Sequence, residues 1–481
     1  MSGKSMKVNA MLNGIKTMMS ILFPLITFPY ATRVLQVENL GKVNFSSSVI
    51  SYFTLLAALG VSTYAIREGS GDKYDKNKID VFVSQVFTIN VISTIVAYFS
   101  LFFILLVTPI LQEYKVLLLI QSSTIIFNTI GIEWVFSIYE DYAYLTIRSL
   151  IFQVISMLML FILVKDTDDY YLYAMITVFS TVGSNLLNFM YSRKYCKVKL
   201  TRKLNLKKHL KPILIIFSTS IATIIYVNSD LTMLGIMVGD YAVGLYSVST
   251  KVYSVIKTVL SAVIIVSVPR LSFYLSSNMR NNYTYLVTKI FNSMTLLIFP
   301  TVVGINLLYN QIVMSISGSN YMEATISLRI LSIALVFSTF ASFTTAAILL
   351  PMKREKYILI ATIISALVNV LLNLLLIPIF HQNGAALTTA LAELLVLLIT
   401  FYHAREIVRI DEAGKNIVTS IVGCLAMILV SFILKLFVVN MIVYTFLTII
   451  CSISVYLMVL LFLKNNLALE VLNGIKNKFN N

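Results

Sequence analysis

Residues 357–379 read YILIATIISALVNVLLNLLLIPI and carry no charged side chain. A transmembrane helix needs about 20 mainly apolar residues to cross a hydrocarbon core roughly 30 Å thick, and this stretch is long enough. Similar stretches, bounded by turn residues and charges, recur along the chain. The sequence predicts fourteen transmembrane helices, spans 1 to 14, with approximate bounds 9–31, 43–66, 81–108, 115–137, 143–164, 170–191, 212–237, 242–268, 286–308, 324–350, 357–379, 384–404, 416–438 and 441–463.

The composition of the chain agrees with this pattern. Its 481 residues are 58% hydrophobic and only 12% charged, and the mean hydropathy is +0.88. Soluble proteins carry about 25% charged residues, so this chain cannot cover a water-facing surface. We predict an all-α integral membrane protein in which fourteen spans leave no room for a large soluble catalytic domain.

The net charge of +16 is distributed unevenly along the chain. Alternate connections between spans hold most of the Lys and Arg residues, and the connection at 193–211 alone holds nine. Because basic connections stay on the cytoplasmic side, both termini are predicted to be cytoplasmic, and the charge does not require a nucleic-acid partner. The 193–211 connection is either a solvated linker whose lysines rest on anionic headgroups or a domain boundary.

An internal repeat favours the domain boundary. At an offset of 203 residues Gly41 matches Gly244, Arg67 matches Arg270, and the polar positions of span 2 match those of span 8. Two halves with an even number of spans share one orientation and commonly enclose a cavity. We predict two six-helix bundles around a central cavity, followed by two further helices. The predicted domains are 1–205 with spans 1 to 6, 206–410 with spans 7 to 12, and 411–481 with spans 13 and 14 and a cytoplasmic tail.

Polar residues at helical spacing form stripes within several spans. A Ser/Thr stripe is as typical of helix packing as of a lined cavity. Lysines at lipid depth favour the cavity, because a charge there costs several kcal/mol unless it faces water, a partner or a substrate. The candidate substrate-binding residues are Asn13, Lys16, Ser20, Asn44, Ser48, Thr219, Tyr226, Lys251, Ser254 and Lys257.

The acidic residues within the spans are few. Glu133 and Arg148 flank a short connection and are expected to pair with each other. Glu393 in span 12 is the one deep acid. It either forms a static salt bridge with a lysine such as Lys251 or an interhelical hydrogen bond, or it is a proton or sodium site. Asp230, near the outer end of span 7, is a second candidate for coupling to H⁺ or Na⁺. The predicted cavity is therefore mostly positive and suits an anion that enters from the cytoplasm.

The sequence contains no pattern typical of a metal or cofactor site. The three cysteines, Cys196, Cys424 and Cys451, cannot all pair and lack zinc spacing. The histidines, His209, His381 and His403, lie far apart and are expected to be solvated. We predict no cofactor and no bound metal.

Several motifs resemble those of Wzx-type polysaccharide flippases, within the multidrug, oligosaccharidyl-lipid and polysaccharide exporter superfamily. The matching stretches cover spans 1 to 12, and they are Pro29 to Leu35 with Gly41, LGVSTYAIRE at 59–68, Trp134 with Glu140, VNSDLTMLG at 227–235, GLYS at 244–247 and NVLLNLLLIPIFHQNGAALTTALAE at 369–393.

The resemblance implies a function. Proteins of this family move undecaprenyl-pyrophosphate-linked oligosaccharide from the cytoplasmic to the outer leaflet of the bacterial cytoplasmic membrane by alternating access, coupled to an ion gradient. The product would feed O-antigen, capsule or exopolysaccharide assembly, with membrane lipids and the polysaccharide polymerase machinery as expected partners. Because a pyrophosphate favours Lys or Arg, the candidate phosphate contacts are Lys16, Lys251 and Lys257. The candidate gate or headgroup residues are Arg33, Arg67 and Arg270.

Three alternative functions make different demands on the sequence. A drug exporter of the same superfamily would need a cavity dominated by acids. A lipid II flippase for peptidoglycan also moves an anionic polyprenyl pyrophosphate, so the residues do not separate it from a polysaccharide flippase. A membrane-embedded glycan polymerase or ligase would need a large outer loop with catalytic residues, and the predicted outer loops are short. The sequence therefore predicts a transporter rather than an enzyme.

Overall fold

The computed structural model describes residues 6–407, 410 and 413–479. Within this part of the chain twelve helices are long and apolar enough to cross a membrane, and no strand occurs. The all-α integral membrane fold is confirmed. The helices are α1 (Met6–Ala58), α2 (Val61–Asp72), α3 (Lys76–Val107), α4 (Lys115–Gly131), α5 (Glu133–Ile138), α6 (Tyr142–Leu163), α7 (Tyr170–Val182), α8 (Asn185–Ser192), α9 (Leu206–Met237), α10 (Asp240–Ser276), α11 (Arg280–Ser317), α12 (Ala324–Phe343), α13 (Glu355–Ala404), α14 (Ala413–Phe437), α15 (Met441–Phe462) and α16 (Asn466–Phe479).

The difference between twelve helices and fourteen predicted spans lies in α1 and α13. These helices have 53 and 50 residues, and each covers two predicted spans. Each contains one residue with non-helical backbone between those spans, Gln36 at φ 63° and His381 at φ 50°. Such positive φ values are uncommon outside glycine and mark a break in the helix.

Contacts across His381 show that the chain reverses there. Thr388 Oγ1 donates a hydrogen bond to Asn373 Oδ1 at 2.5 Å. On a straight helix these two residues would lie about 22 Å apart along the axis. Gly384 sits so close to the backbone of Leu376 that a Cβ atom would overlap its carbonyl oxygen. The element α13 is therefore a helical hairpin whose two arms correspond to spans 11 and 12.

Two compact units make up the structure, Met1–Gly244 and Leu245–Asn481. The repeat predicts boundaries after residues 205 and 410 instead. Residues 206–244 account for the difference because α9 packs against α1, where Thr232 Oγ1 and Ser48 Oγ share a hydrogen bond at 2.9 Å. The predicted division into two bundles and a C-terminal pair stays a prediction.

In the first unit, the connections predicted to be cytoplasmic contact one another. Lys73 Nζ, between α2 and α3, lies 3.0 Å from Glu140 Oε1, between α5 and α6. This hydrogen bond raises the pKa of Lys73. Tyr195 OH, beyond α8, donates to Asp141 Oδ2 at 2.6 Å. Three alternate connections therefore meet at one end of the unit, as the charge pattern requires.

The remaining connections of this unit meet in the same way. Asn39 Nδ2, near the break in α1, donates to Thr167 O at 2.8 Å. Tyr114 OH, just before α4, donates to Asp240 Oδ1 at 2.9 Å. These contacts join alternate connections to one another, as the predicted span order requires.

Residues 197–203, the strap, lie along one face of α3. Three alternate backbone N–H groups of the strap bond to side chains that lie four residues apart on the helix, and Gln85 holds the last residue of the strap. Two residues of extended chain and four residues of helix both advance about 6 Å, so the two periods match. The basic connection is therefore held in place rather than solvated along its length. The contacts are Lys197 N to Asp80 Oδ1 at 2.8 Å, Lys199 N to Ser84 Oγ at 3.3 Å, Thr201 N to Thr88 Oγ1 at 3.0 Å, and Gln85 Nε2 to Lys203 O at 2.7 Å.

The prediction that His209 is solvated is wrong. Its ring is fully buried, with Nδ1 2.7 Å from Tyr64 OH and Nε2 2.8 Å from Gln85 Oε1. Cys196 is only 1% exposed and packs into the same core as Tyr64 and Ile213. The connection and the start of α9 therefore close over a core, because Cys196, His209 and Ile213 point inward between exposed lysines.

In the second unit, α14 and α15 pack against α11. Tyr456 OH of α15 donates to Leu296 O of α11 at 2.8 Å. Ser431 Oγ of α14 and Tyr444 OH of α15 share a hydrogen bond at 2.9 Å. Buried hydroxyl groups therefore hold α14 and α15 to each other and to α11.

Candidate functional site

A polar face of α10 lies at membrane depth. Lys251 is half-buried, and Ser254 and Thr258, three and seven residues further on, are exposed. Ser254 Oγ donates to Lys251 O at 2.9 Å, and Thr258 Oγ1 donates to Ser254 O at 2.7 Å. Because each hydroxyl proton is used within the helix, the oxygen lone pairs are the groups offered to a ligand. This face presents a cation and hydroxyl acceptors.

Next to this face, Lys257, Tyr253 and Glu393 form a hydrogen-bonded triad. Lys257 Nζ lies 2.5 Å from Glu393 Oε1, and Tyr253 OH donates to the same oxygen at 2.9 Å. Lys257 Nζ also lies 3.3 Å from Tyr253 OH. The Glu393 side chain is 5% exposed, whereas that of Lys257 is 29% exposed. The carboxylate is therefore enclosed, and the ammonium group borders an accessible space.

The partner of Glu393 is a lysine, as one alternative predicted, but it is not Lys251. The structure pairs it with Lys257, one and a half turns beyond Lys251 on α10. Tyr253 was missed altogether, although its spacing of four residues from Lys257 places the two on one helix face. That spacing could have grouped Tyr253 with Lys257. It could not have placed Glu393 beside them, because the position of Glu393 depends on the hairpin of α13.

The predicted residues of α9 are split between exposed and buried positions. Thr219 is exposed, and its hydroxyl donates to Ile216 O at 2.6 Å. Tyr226 is half-buried, and Asp230 is 5% exposed. The stripe is therefore exposed at Thr219 and enclosed by protein at Asp230.

The candidates on α1 divide similarly. Asn44 is half-buried, whereas Ser48 is 2% exposed, donates to Phe45 O at 2.7 Å and bonds Thr232 on α9. For Ser48 the geometry is that of helix packing. The side chains of three further candidates lie outside the described residues, and these are Asn13, Lys16 and Ser20.

The three arginines expected at gates or headgroups are exposed and lie on different helices. Arg33 is on α1, Arg67 on α2 pairs with Glu68 at 3.0 Å, and Arg270 on α10 donates through Nε to Tyr274 OH at 2.8 Å. The structure therefore does not gather them into one site within either unit.

The first unit contains a polar cavity of about 200 Å³ that sequence reasoning did not find. The expected pair of Glu133 and Arg148 is present at its edge, and Arg148 Nη1 also donates to Asn185 Oδ1 at 3.2 Å. Arg148 is 5% exposed, so the pair fixes α5 against α6 and α8. The asparagines that line the cavity come from three helices, and no local spacing reveals them; they are Asn90, Asn128 and Asn185.

Comparison with known proteins places this geometry in a family. Residues 6–275 match the family model described as "Polysaccharide biosynthesis protein". The "Putative O-antigen transporter" of Escherichia coli (strain K12) is 24% identical over 392 residues, which cover 80% of this chain and 93% of that protein. The "Capsular polysaccharide biosynthesis protein CapF" of Staphylococcus aureus is 22% identical and covers 77% of this chain and 92% of its own length.

The fold is also that of a solved flippase. The structure titled "Lipid II flippase MurJ, inward closed conformation" superposes with a TM-score of 0.76 at 17% identity, covering 95% of this chain and 100% of that one. An inward-facing multidrug MATE transporter of the MOP superfamily gives a TM-score of 0.54 at 14% identity, covering 82% of this chain and 99% of the other. The family resemblance is confirmed by the match over residues 6–275, and the protein is a multi-pass membrane transporter and not an enzyme. The chain belongs to the polysaccharide biosynthesis protein family.

Proposed function

We propose that the protein moves undecaprenyl-pyrophosphate-linked oligosaccharide from the cytoplasmic to the outer leaflet of the bacterial cytoplasmic membrane by alternating access. The transported glycan would serve surface polysaccharide assembly, and both termini would be cytoplasmic. The observation that carries the proposal is the polar face of α10, where Lys251 and Lys257 lie beside exposed hydroxyls. Counted from Asp240 at 1.5 Å per residue, Lys251 lies about 17 Å and Lys257 about 25 Å along the helix, within a bilayer core of roughly 30 Å.

The chemistry of this face fits the two parts of the proposed substrate. A pyrophosphate is an acceptor of charge-assisted hydrogen bonds, which lysine ammonium groups supply. Sugar hydroxyls would donate to the oxygen atoms of Ser254 and Thr258, whose own protons are engaged within the helix. We assign phosphate contact to Lys16, Lys251 and Lys257, and gate or headgroup roles to Arg33, Arg67 and Arg270.

The triad around Glu393 suggests how an ion gradient would be coupled to transport. Lys257 borders an accessible space while Glu393 is enclosed. A phosphate that attracts Lys257 would weaken its pair with Glu393, and the carboxylate would then need a proton or Na⁺ to remain buried. We propose Glu393 as the coupling residue and Asp230 as a second candidate. Association with the polysaccharide polymerase machinery is proposed from the expected product alone.

A reconstituted transport assay tests this proposal. Proteoliposomes carrying the full chain and a fluorescent polyprenyl-pyrophosphate oligosaccharide are treated with an outside glycan-cleaving enzyme, and the protected fraction reports flipping. We expect transport with the wild-type chain and a loss of at least tenfold with Lys251→Ala. Transport that is unchanged in Lys251→Ala at equal protein incorporation would contradict the assigned site.

The lipid II flippase remains the second candidate function. A 127-residue segment is 32% identical to "Lipid II flippase MurJ" of Bacillus subtilis (strain 168), although it covers 25% of this chain and 23% of that protein. The two functions separate in cells. We expect the gene to restore surface polysaccharide to a strain lacking its polysaccharide flippase, and not to restore growth to a strain depleted of its lipid II flippase. Rescue of growth alone would favour peptidoglycan.

A further inference from the structure

A basic cavity of about 460 Å³ lies where α10 ends and α11 begins. It is lined by Arg270, Tyr274, Asn282, Tyr285, Leu286 and Lys289. This part of α10 follows the apolar run at 242–268, so the cavity lies near the end of the span. Charge distribution predicts this end to be cytoplasmic.

The side chains of the cavity are arranged as donors. Arg270 Nε donates to Tyr274 OH at 2.8 Å, and its guanidinium carbon lies 5.5 Å from the centre of the Tyr274 ring. This contact orients the guanidinium, which keeps further N–H donors at its other nitrogens. Lys289 supplies a second cation across the cavity. Two cations with phenol and amide groups match a phosphate, which accepts several charge-assisted hydrogen bonds.

One of these two cations already forms an ion pair with a carboxylate of the helix α16. Glu470 Oε1 of α16 pairs with Lys289 Nζ. The two side chains are 55% and 35% exposed. An ion pair with this much solvent exposure contributes only about 0–1 kcal/mol to stability, so an incoming phosphate can displace Glu470. Glu470 is therefore an internal competitor for the same lysine.

We propose that this cavity binds the phosphate group of an anionic membrane lipid, with Arg270 and Lys289 as its cationic contacts and Glu470 as the competing group. The location argues for a lipid headgroup, because basic residues and tyrosines at the end of a span lie at headgroup level. The site is separate from the triad around Glu393, and it does not depend on which glycan is transported.

Binding to the purified full-length chain in detergent tests the site. The probes are short-chain phosphatidylglycerol, the matching diacylglycerol without phosphate, and inorganic pyrophosphate, each titrated by microscale thermophoresis. We expect phosphatidylglycerol to bind and diacylglycerol not to bind. Arg270→Gln and Lys289→Gln should each weaken phosphatidylglycerol binding about tenfold, as the loss of one charge-assisted hydrogen bond predicts. Glu470→Gln should strengthen it about threefold, a gain that misfolding cannot mimic.

Charge-matched controls separate a built site from general surface charge. Lys356→Gln and Glu406→Gln, both exposed residues of the second unit, should change the affinity less than twofold. Equal shifts in these controls, or a weaker affinity in Glu470→Gln, would overturn the proposal. Pyrophosphate that binds with the same dependence on Arg270 and Lys289 would overturn the lipid as the ligand and assign the site to free phosphate.

Discussion

Gly41 and Gly244 each lie against the backbone of the other's helix. A Cβ atom on Gly41 would overlap the carbonyl oxygen of Asp240, and one on Gly244 would overlap that of Val37. Both glycines and both partners are related by the same 203-residue offset, since 37 corresponds to 240 and 41 to 244. The contact is therefore symmetric under the repeat. It uses small residues for close approach, as transmembrane helices commonly do.

We expect Gly41→Ala and Gly244→Ala each to lower the thermal unfolding temperature in detergent, because rigid backbone cannot move away from the added methyl group. The cost should be about 1–3 kcal/mol. Gly304→Ala is the matched control, since no heavy atom lies within 4 Å of the position of its Cβ. It should be neutral or slightly stabilising, as alanine is in a helix. A similar loss in all three variants would contradict the packing role.

Lys251→Ala should abolish export while the protein remains inserted, and Lys251→Arg should retain part of the activity because it keeps the charge. Surface glycan and membrane-fraction protein are measured together at native expression. A loss of both quantities would indicate a folding role. Normal glycan in the alanine variant would remove Lys251 from the cationic site.

Lys257→Gln should destabilise the chain by about 1–3 kcal/mol, since it leaves the enclosed carboxylate of Glu393 with Tyr253 as its remaining partner in the triad. Adding Glu393→Gln should restore most of that loss, because no buried charge is then left. The thermal unfolding temperatures of the two single variants and the double variant form the cycle. Additive losses would mean that the pair does not act as a unit.

Glu393→Gln also separates structure from coupling. Gln keeps the shape and can accept the Tyr253 hydrogen bond, but it cannot ionise. A coupling residue should lose the dependence of transport on pH or Na⁺ in sealed vesicles, while the lipid-linked glycan still binds. Unchanged pH and Na⁺ dependence would leave Glu393 as a structural residue.

Cys196 should react slowly with maleimide even when the cytoplasmic face is open, because burial raises its pKa to about 12. Below that pKa the thiolate fraction rises tenfold per pH unit, so labelling should increase about 100-fold from pH 7 to pH 9 if access is unchanged. Rapid labelling at pH 7 would contradict the buried position.

The same region tests the predicted topology once the buried thiol is removed. In the Cys196→Ala, Lys199→Cys variant the new thiol replaces an exposed side chain. We expect an impermeant reagent to label it in permeabilised cells and not in intact cells. Labelling in intact cells would place this connection outside.

The membrane fold and its span order were accessible from the sequence, because apolar length and charge placement are local properties. The sequence also contained the polar face of α10, whose spacing defines one side of a helix. It did not contain the pairing of Lys257 with Glu393, which depends on how the α13 hairpin is placed against α10. A 136-residue separation between partners carries no periodic signal.

The buried position of His209 was missed for a related reason. A histidine among lysines in a polar segment is typical of a solvated loop, and only the strap brings Gln85 and Tyr64 to its two ring nitrogens. The composition of a segment is an average over its residues, whereas the burial of one residue depends on which side chains alternate between the core and the solvent. In the strap the backbone bonds to α3 while several lysine side chains point to solvent.

The contacts of the strap also determine which part of the protein can fold first during synthesis. All of its hydrogen-bonding partners on α3, from Asp80 to Thr88, precede it in the chain by more than 100 residues. A nascent chain that has emerged as far as Ile213 therefore already contains every group that closes this face over Cys196. The face can be sealed before the rest of α9 and the second unit are translated, so the lysines of the connection can lie at the membrane surface while synthesis continues.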